Sequence, residues 1–403
     1  MRRLVVLSVA ACCLAAAKCQ AAGTFPTYPI TVRAAETGYT EVPLSRTCVW
    51  PPGARSLHLW EAGGKEVPCD VDMSDGMCGI TWILRELPKG ASRKYLVKFS
   101  DSPPRRQAPA VRVFHWQGAV EVSIDGGMFT RYYFAGAPKP YCWPIIGPTG
   151  KPVTRAFPME KVEGESKDHP HHRSMWFTHG SVNGQDFWSE GDGKGKTVHR
   201  KFEALDSAYA VGRIRERNDW IAADGKKVCE DVRDLRVYNV NKGRLMDFEV
   251  TLLATEGPVT MGDTKEGMFG MRIADSMTVV RGSGHILNSE GQRDKDTWGK
   301  RANWCDYWGP VDGKTVGIAI LDHPDNFRHP TYWHVRDYGL FAANPFGVHD
   351  FLGQKEPTGE YTIPKGGSLT FRYRIYIHEG DAQQADIASL YEQYAHPPVV
   401  RIY

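Results

Sequence analysis

The sequence predicts an all-β protein: a small N-terminal β-sandwich, then a large, mostly antiparallel domain big enough for two broad stacked sheets. Three observations predict it. Apolar and polar residues alternate with a period of two along most of the chain. Clusters of Gly, Pro and Asp interrupt that alternation at short intervals. A helical period persists in one place only, near the C-terminus.

Residues 1–23 read as an export leader, with Arg2 and Arg3 as the charged start and Leu4 to Ala17 as an apolar run too short to cross a bilayer. Cys19-Gln20-Ala21 and Ala15-Ala16-Ala17 offer cleavage points. Val9-Ala10-Ala11-Cys12 loosely resembles a lipoprotein box, but only eight residues precede it, so no lipid anchor is expected. No later segment is long and apolar enough for a membrane helix, and an exported protein, periplasmic or extracellular, is expected. Without Arg2, Arg3 and Lys18 the formal charge falls from +3 to zero, which leaves no electrostatic footprint for nucleic acid.

Residues 24–102 alternate as strands at Ile30–Arg33, Ser56–Trp60, Gly79–Leu84 and Lys94–Phe99, the spacing of a small antiparallel sandwich. Residues 103–110, rich in Pro and Arg, read as a linker. From 111 to 403 the strands continue at Ala119–Ile124, Tyr132–Phe134, Leu235–Val240, Leu245–Leu253, Thr315–Leu321 and Leu369–His378. Arg372 and Arg374 alternate with Phe371, Tyr373 and Ile375, as on a sheet with one wet face. The terminal helix is expected over Ala382–Tyr394, with Ile387, Leu390 and Tyr391 on one stripe. Of the cysteines beyond the leader, Cys69 and Cys78 flank a turn-like segment and are the expected disulfide; Cys48, Cys142, Cys229 and Cys305 suit buried thiols as well as bridges.

Four stretches carry chemistry. The first, residues 168–190, holds His169, His171, His172, His179, Arg173, Asp186, Trp188 and Glu190. Imidazoles titrating near neutrality beside fixed cations, carboxylates and flat rings are the parts of an acid/base or polar-ligand site. On an extended segment His169 and His171 would face one way and His172 the other. Trp188 suits a core position better than a platform. The histidines lack helical metal-ligand spacing, so no cofactor is expected; if a metal binds, its ligands come from His169, His171, His172 and His179.

The second stretch, Asp263 to Ala274, interleaves Lys265, Glu266 and Arg272 with glycines. Lys265 beside Glu266 is expected to hold that carboxylate ionised, which suits a base. The third, residues 298–309, places Trp304 and Asp306 in a polar-aromatic patch, equally readable as a subsidiary core. The fourth, residues 322–350, brings Arg328, His334, Asp337, Tyr338 and Asn344. Two His/Arg/Asp-rich stretches far apart in sequence suggest loops converging over one cleft. A nucleophile elbow, a phosphate-cradling loop and a dinucleotide fingerprint are all missing from the sequence, which argues against nucleotide hydrolysis and hydride transfer.

The motifs at 169–173, 176–188, 264–267, 304–307 and 329–347 resemble the exported bacterial family labelled "methane oxygenase PmoA", over roughly residues 111–380. The label implies a metal-dependent oxygenase, whereas the methane monooxygenase subunit of that name is an integral membrane protein. At the level of fold, the chain also resembles the galactose-mutarotase-like β-supersandwich, whose sites set His and Glu or Asp on a concave sheet.

The functional expectation is a carbohydrate-active enzyme, a hydrolase, lyase or epimerase. Its catalytic groups are expected to be His172, His179, Glu266 and His334, and its binding groups His171, Arg173, Trp188, Arg272, Trp304, Asp306, Arg328, Asp337, Tyr338 and Asn344. The alternatives are a non-catalytic carbohydrate-binding protein using the same cleft, and the metal-dependent oxygenase of the label.

Overall fold

The computed structural model describes residues 25–403 apart from 75, 105, 106, 355 and 357. The expected leader, its cleavage points and the lipoprotein-like box lie outside these residues, as do two of the linker positions. The fold is all-β and sandwich-like.

The N-terminal part packs a five-stranded sheet on a three-stranded one. The five-stranded sheet runs in the order Val399–Ile402, Tyr28–Arg33, Ser92–Ser100, Ser56–Glu61, Glu66–Val67. The other consists of Tyr39–Val49, Met77–Leu87 and Asp70–Ser74. Ile30, Val32, Leu59 and Val97 of the first meet Val42, Leu44, Ile80 and Trp82 of the second in one core.

Three features depart from the sequence reading. Tyr39–Val49, eleven residues long, was not legible as a strand because Pro43 interrupts it; it is an edge strand, where a missing N–H is tolerated. The last strand, Val399–Ile402, lies not with the large sheets but antiparallel to Tyr28–Arg33. Cys78 faces Cys48, its register partner, with the two sulfurs 3.1 Å apart, and not Cys69. The expected Cys69–Cys78 pairing is therefore corrected. Sequence proximity suggested it, and strand register overrides it.

Two eight-stranded antiparallel sheets, with a two-stranded one of Val259–Met261 and Tyr361–Ile363, make up the rest. The first runs Trp333–Val335, Leu340–Ala343, Gly267–Arg272, Met175–His179, Tyr141–Ile145, Gly127–Tyr133, Ala119–Ile124, Val111–Trp116. The second runs Lys196–Asp206, Val211–Ile221, Lys227–Tyr238, Arg244–Leu253, Ser368–Glu379, Lys314–Asp322, Trp304–Val311, His285–Asn288. Their inner faces share a core in which Phe177 meets Phe248 and Phe371, and Phe269 stacks on Tyr373 at 4.9 Å. The terminal helix spans Ile387–Ala395, shorter at its start than expected, and lays Ile387 and Tyr391 against Trp304 and Trp308.

Between the sheets lies a buried polar network. Arg233 donates to Asp231 and, through Nη2, to the Phe177 carbonyl at 3.1 Å; Asn218 and Trp220 also donate to Asp231, and Tyr132 to Glu216. It satisfies charges the alternation pattern cannot avoid burying, and it braces strand Met175–His179 from behind.

Candidate functional site

The site is built on the outer face of the first sheet. Period-two alternation sends Met175 and Phe177 inward and Trp176 outward. Register then aligns Trp176 with Tyr141 on one side and with Gly270, Ala342 and His334 on the other. Gly270 is required there, since a Cβ would sit 2.8 Å from the Trp176 indole. The small floor leaves a shelf that the loop before Met175 fills with rings.

That loop turns at His169, whose φ is +43°, with the His172 amide donating to the His169 carbonyl at 3.0 Å. The result is a ladder of four rings. Tyr338 stacks on His169 at 5.3 Å, His169 on His172 at 4.7 Å, and His172 on Trp176 at 5.2 Å. His169, between Tyr338 and His172, keeps its side chain 42% exposed, while His172 is buried. Burial first, then the charges of His171 and Arg272, push His172 well below the usual imidazole range. Its Nδ1 faces Arg272 Nη1 at 3.2 Å, as a neutral acceptor would.

Asp168 organises the cations. Its Oδ1 accepts from Arg155 Nη1 and, at 2.7 Å, from Arg272 Nη2, while Oδ2 lies 3.3 Å from His169 Nδ1. Burial alone would raise the Asp168 carboxyl; the two guanidiniums outweigh it and hold the group below its ordinary value. Both arginines are buried, so each needs that partner. Arg272 also lies over the Tyr338 ring at 4.9 Å.

A second charged layer sits beside the ladder. Glu190 takes three hydrogen bonds from Arg173 and lies 3.3 Å from the buried Lys139 ammonium. Burial lowers Lys139 to about 8 against the pull of Glu190. Burial, and then the nearby Lys139, lower His171 to about 4. Trp188 is fully buried against Trp176, and Asp186 accepts from its amide.

Glu266 comes from the turn before strand Gly267–Arg272, and buried partners hold that turn. His334 Nδ1 donates to the Lys265 carbonyl at 2.8 Å, Asn344 Nδ2 to the Thr264 carbonyl at 2.9 Å, and the Gly180 amide to the Glu266 carbonyl at 2.6 Å. Gly180 is required here, because a Cβ would come within 2.7 Å of that of Glu266. The carboxylate lies within Coulombic reach of His169 and Tyr338. Its proton affinity corrects the sequence reading. Burial raises Glu266, and Lys265, 3.7 Å away, only partly opposes this. The group is tuned toward an acid rather than a base.

The stretches therefore converge only in part. The first, the second and residues 334–350 of the fourth meet on this face. His179, on the inward side of its strand with Phe177, is wholly buried, donates through Nε2 to the Gly262 carbonyl and is lowered to about 4 by burial. His334 is likewise buried and lowered to about 3. His172, His179 and His334, expected as catalytic groups, are thus buried rings: His172 faces Arg272, and His179 and His334 donate to loop carbonyls. Trp304 and Asp306 lie on the second sheet, Trp304 against the terminal helix and Asp306 bonded to His378 Nε2 at 3.0 Å. Arg328 caps the Pro345, Gly359 and Glu360 carbonyls. Asp337 serves through its backbone, receiving Val279 N–H and Tyr307 O–H at its carbonyl.

The residues at this face that the sequence reading did not name as catalytic or binding groups are Asp168, His169, Arg155 and Lys139. Asp168 and His169 were visible in the first stretch; Arg155 and Lys139 sit in unremarkable sequence and no local pattern marks them. Among the described residues, no group of three or more His, Cys, Asp or Glu stands in a metal-ligating arrangement. No helix there is long and apolar enough to cross a membrane.

A sequence family described as "Family of unknown function (DUF6807)" matches residues 119–392. The chain belongs to it. DUF6807 thus covers both eight-stranded sheets apart from the edge strand Val111–Trp116 and holds every site group named above. What stands of the resemblance seen in sequence is membership of a family without an assigned function; the oxygenase label is not part of the match. No curated relative matches the sequence. Two solved structures similar to this chain are a glycosyl hydrolase family 38 protein and an alpha-mannosidase, both from Enterococcus faecalis. Each is 8% identical at a TM-score of 0.46 and covers 94% of this chain. The chain spans about half of their length, 48% and 46% respectively. Likeness at that level does not indicate what this DUF6807 member acts on.

Proposed function

We propose that this protein is an acid/base enzyme acting on carbohydrate, and that it works by abstracting a proton next to a carbonyl or carboxylate, as lyases and epimerases do. One observation carries the reading. Asp168 is committed to two arginines and to orienting His169, while Glu266, close to the same imidazole, is raised toward its protonated form. An exposed imidazole oriented by a carboxylate, beside a carboxyl biased toward keeping its proton, supplies a base and an acid within one site.

His169, with Nδ1 turned to Asp168, takes the proton on Nε2. The charge left on the substrate oxygen meets Arg336, which lies over Trp298 and Tyr338 and makes no ion pair among the described residues. Glu266 returns a proton, to carbon for epimerisation or to the departing oxygen for elimination. Glycoside hydrolysis would need a second available carboxylate. Asp168, Asp186 and Glu190 are all engaged by cations, and Asp350 accepts from the Lys265 amide. The expected export leader would bring the protein to where polysaccharides are met.

The test is incubation of the mature protein with acidic and neutral polysaccharides in deuterated water. The expected result is deuterium uptake at carbon or an unsaturated product, reduced about 10²–10⁴-fold in Glu266→Gln with binding retained. Release of reducing ends without either signature would sink proton abstraction in favour of hydrolysis. Binding without any product would favour the non-catalytic reading. Stoichiometric copper or iron in the active protein would favour the oxygenase reading.

A further inference from the structure

The outer-facing row that carries Trp176 does not stop at the site. Register continues it from Trp176 to Tyr141, Tyr133, Ala119 and finally Trp116 on the edge strand. Tyr133 and Tyr141 stack at 5.0 Å with planes 10° apart, and Trp143 flanks them at 6.4 Å. At the far end Trp116 is 57% exposed, and Phe114, on the same face two residues earlier, is 65% exposed. The core side of that strand is already satisfied, with Val111 in the core and His115 stacked on Phe134. Two aligned aromatic rings left in water are therefore not needed to fold the strand.

Beside this row runs a polar one, where Phe114, Glu121 and Arg131 are register neighbours and Glu121 pairs with Arg131 at 3.0 Å. At the inner end Arg173 roofs Tyr141 at 5.5 Å, and His171 meets His172 at 4.5 Å, edge to face. A molecule lying along the row would pass from Phe114 and Trp116 over Tyr133 and rise onto Arg173 and His171 before it reached His169. Four strand spacings of about 4.8 Å put Trp116 roughly 19 Å from Trp176. That is several sugar units, not one.

We propose that this row is a track for an extended glycan chain, which makes the substrate of the site a polysaccharide rather than a free sugar. The inference rests on the carbohydrate reading above. Flat rings receive the C–H faces of successive sugars, and Glu121, Arg131 and Arg173 receive hydroxyl edges.

The experiment is affinity electrophoresis of the full mature chain in native gels cast with xylan, mannan, pectin, alginate or chondroitin sulfate. Wild-type protein should be retarded by at least one polymer, and Phe114→Ala/Trp116→Ala should bind that polymer about ten-fold more weakly. The loss should be greater for the polymer than for a disaccharide made from it, with the thermal midpoint unchanged because both rings lie in water. Retardation by no polymer overturns the track, as does equal retardation of the double variant. So does a shift of the double variant to a smaller species in polymer-free gels, since the rings would then join two copies of the chain. If the double variant loses retardation while Glu266→Gln forms product like wild type, the acid/base reading fails and the track stands.

Discussion

The two eight-stranded sheets turn one face each onto a common core, and their outer faces solve the problem of charge differently. On the second sheet Arg213, Arg215 and Arg217 alternate along one strand and meet Asp234, Glu203 and Glu230. Arg372 meets Glu249 across strands in the same way. The arginines of these cross-strand pairs stay roughly a third exposed and are partly screened, although Asp234 beneath them is buried and shared by three arginines. On the first sheet, loops roof the face, and Arg155, Arg272 and Lys139 are buried beneath them with Asp168 and Glu190 as their only matches among the described residues. Desolvation makes every such pairing matter and moves proton affinities. On the first face this holds Asp168 below its ordinary value and raises Glu266 above its own.

The largest expected effect separates the sheets by pH. His172, His179 and His334, all on the first-sheet side, are buried with depressed proton affinity, His179 at about 4 and His334 at about 3. Below about 6.5 the unfolded chain binds protons that these folded rings refuse, so stability falls as the pH falls. For His179 and His334 the loss is on the order of 2 kcal/mol each by about pH 4.5, and His172 adds to it in the same direction. His378 on the second sheet has the opposite sign: burial would lower it, but Asp306 outweighs burial and raises it, so its contribution is present at low pH and lost as the pH rises. Hydrogen exchange at mildly acid pH should show the first sheet loosening before the second. Uniform loosening would remove the distinction.

Next in size is Arg272→Met, which strips Asp168 and His172 of a buried partner and should cost about 3 kcal/mol in denaturant unfolding. A cost below about 1 kcal/mol would put Arg272 on the footing of a surface pair. Smallest is Arg372→Ala on the second sheet. Its pair with Glu249 is more than a third exposed on the arginine side, and its loss should cost less than about 1 kcal/mol. A larger value would show that this face is less wet than its alternation implies.

Strand alternation was readable along most of the chain, and Leu245–Leu253 and Leu369–His378 prove to be register partners. Tyr39–Val49 was not readable because Pro43 obscures an edge strand. The five-residue helix Val348–Leu352 is too short to show a period. For the site, the His-rich stretch and Glu266 could be singled out from residue types alone. Which imidazole meets solvent could not, because His169 and His172 lie three residues apart in one stretch and only the fold buries His172 between His169 and Trp176.

Side-chain periodicity is a local property, so class, the wet-face arginines and the chemistry-bearing stretches follow from the chain read in order. Convergence is not local. Arg272 reaches Asp168 across 104 residues and Asn344 reaches Thr264 across 80. Trp304 and Asp306, equally suggestive in sequence, were carried to the other sheet by strand pairing. Burial, decided only once the loops roof the first sheet, then set which groups keep a proton: it turned Glu266 toward an acid against its lysine neighbour and left His169 as the imidazole facing water.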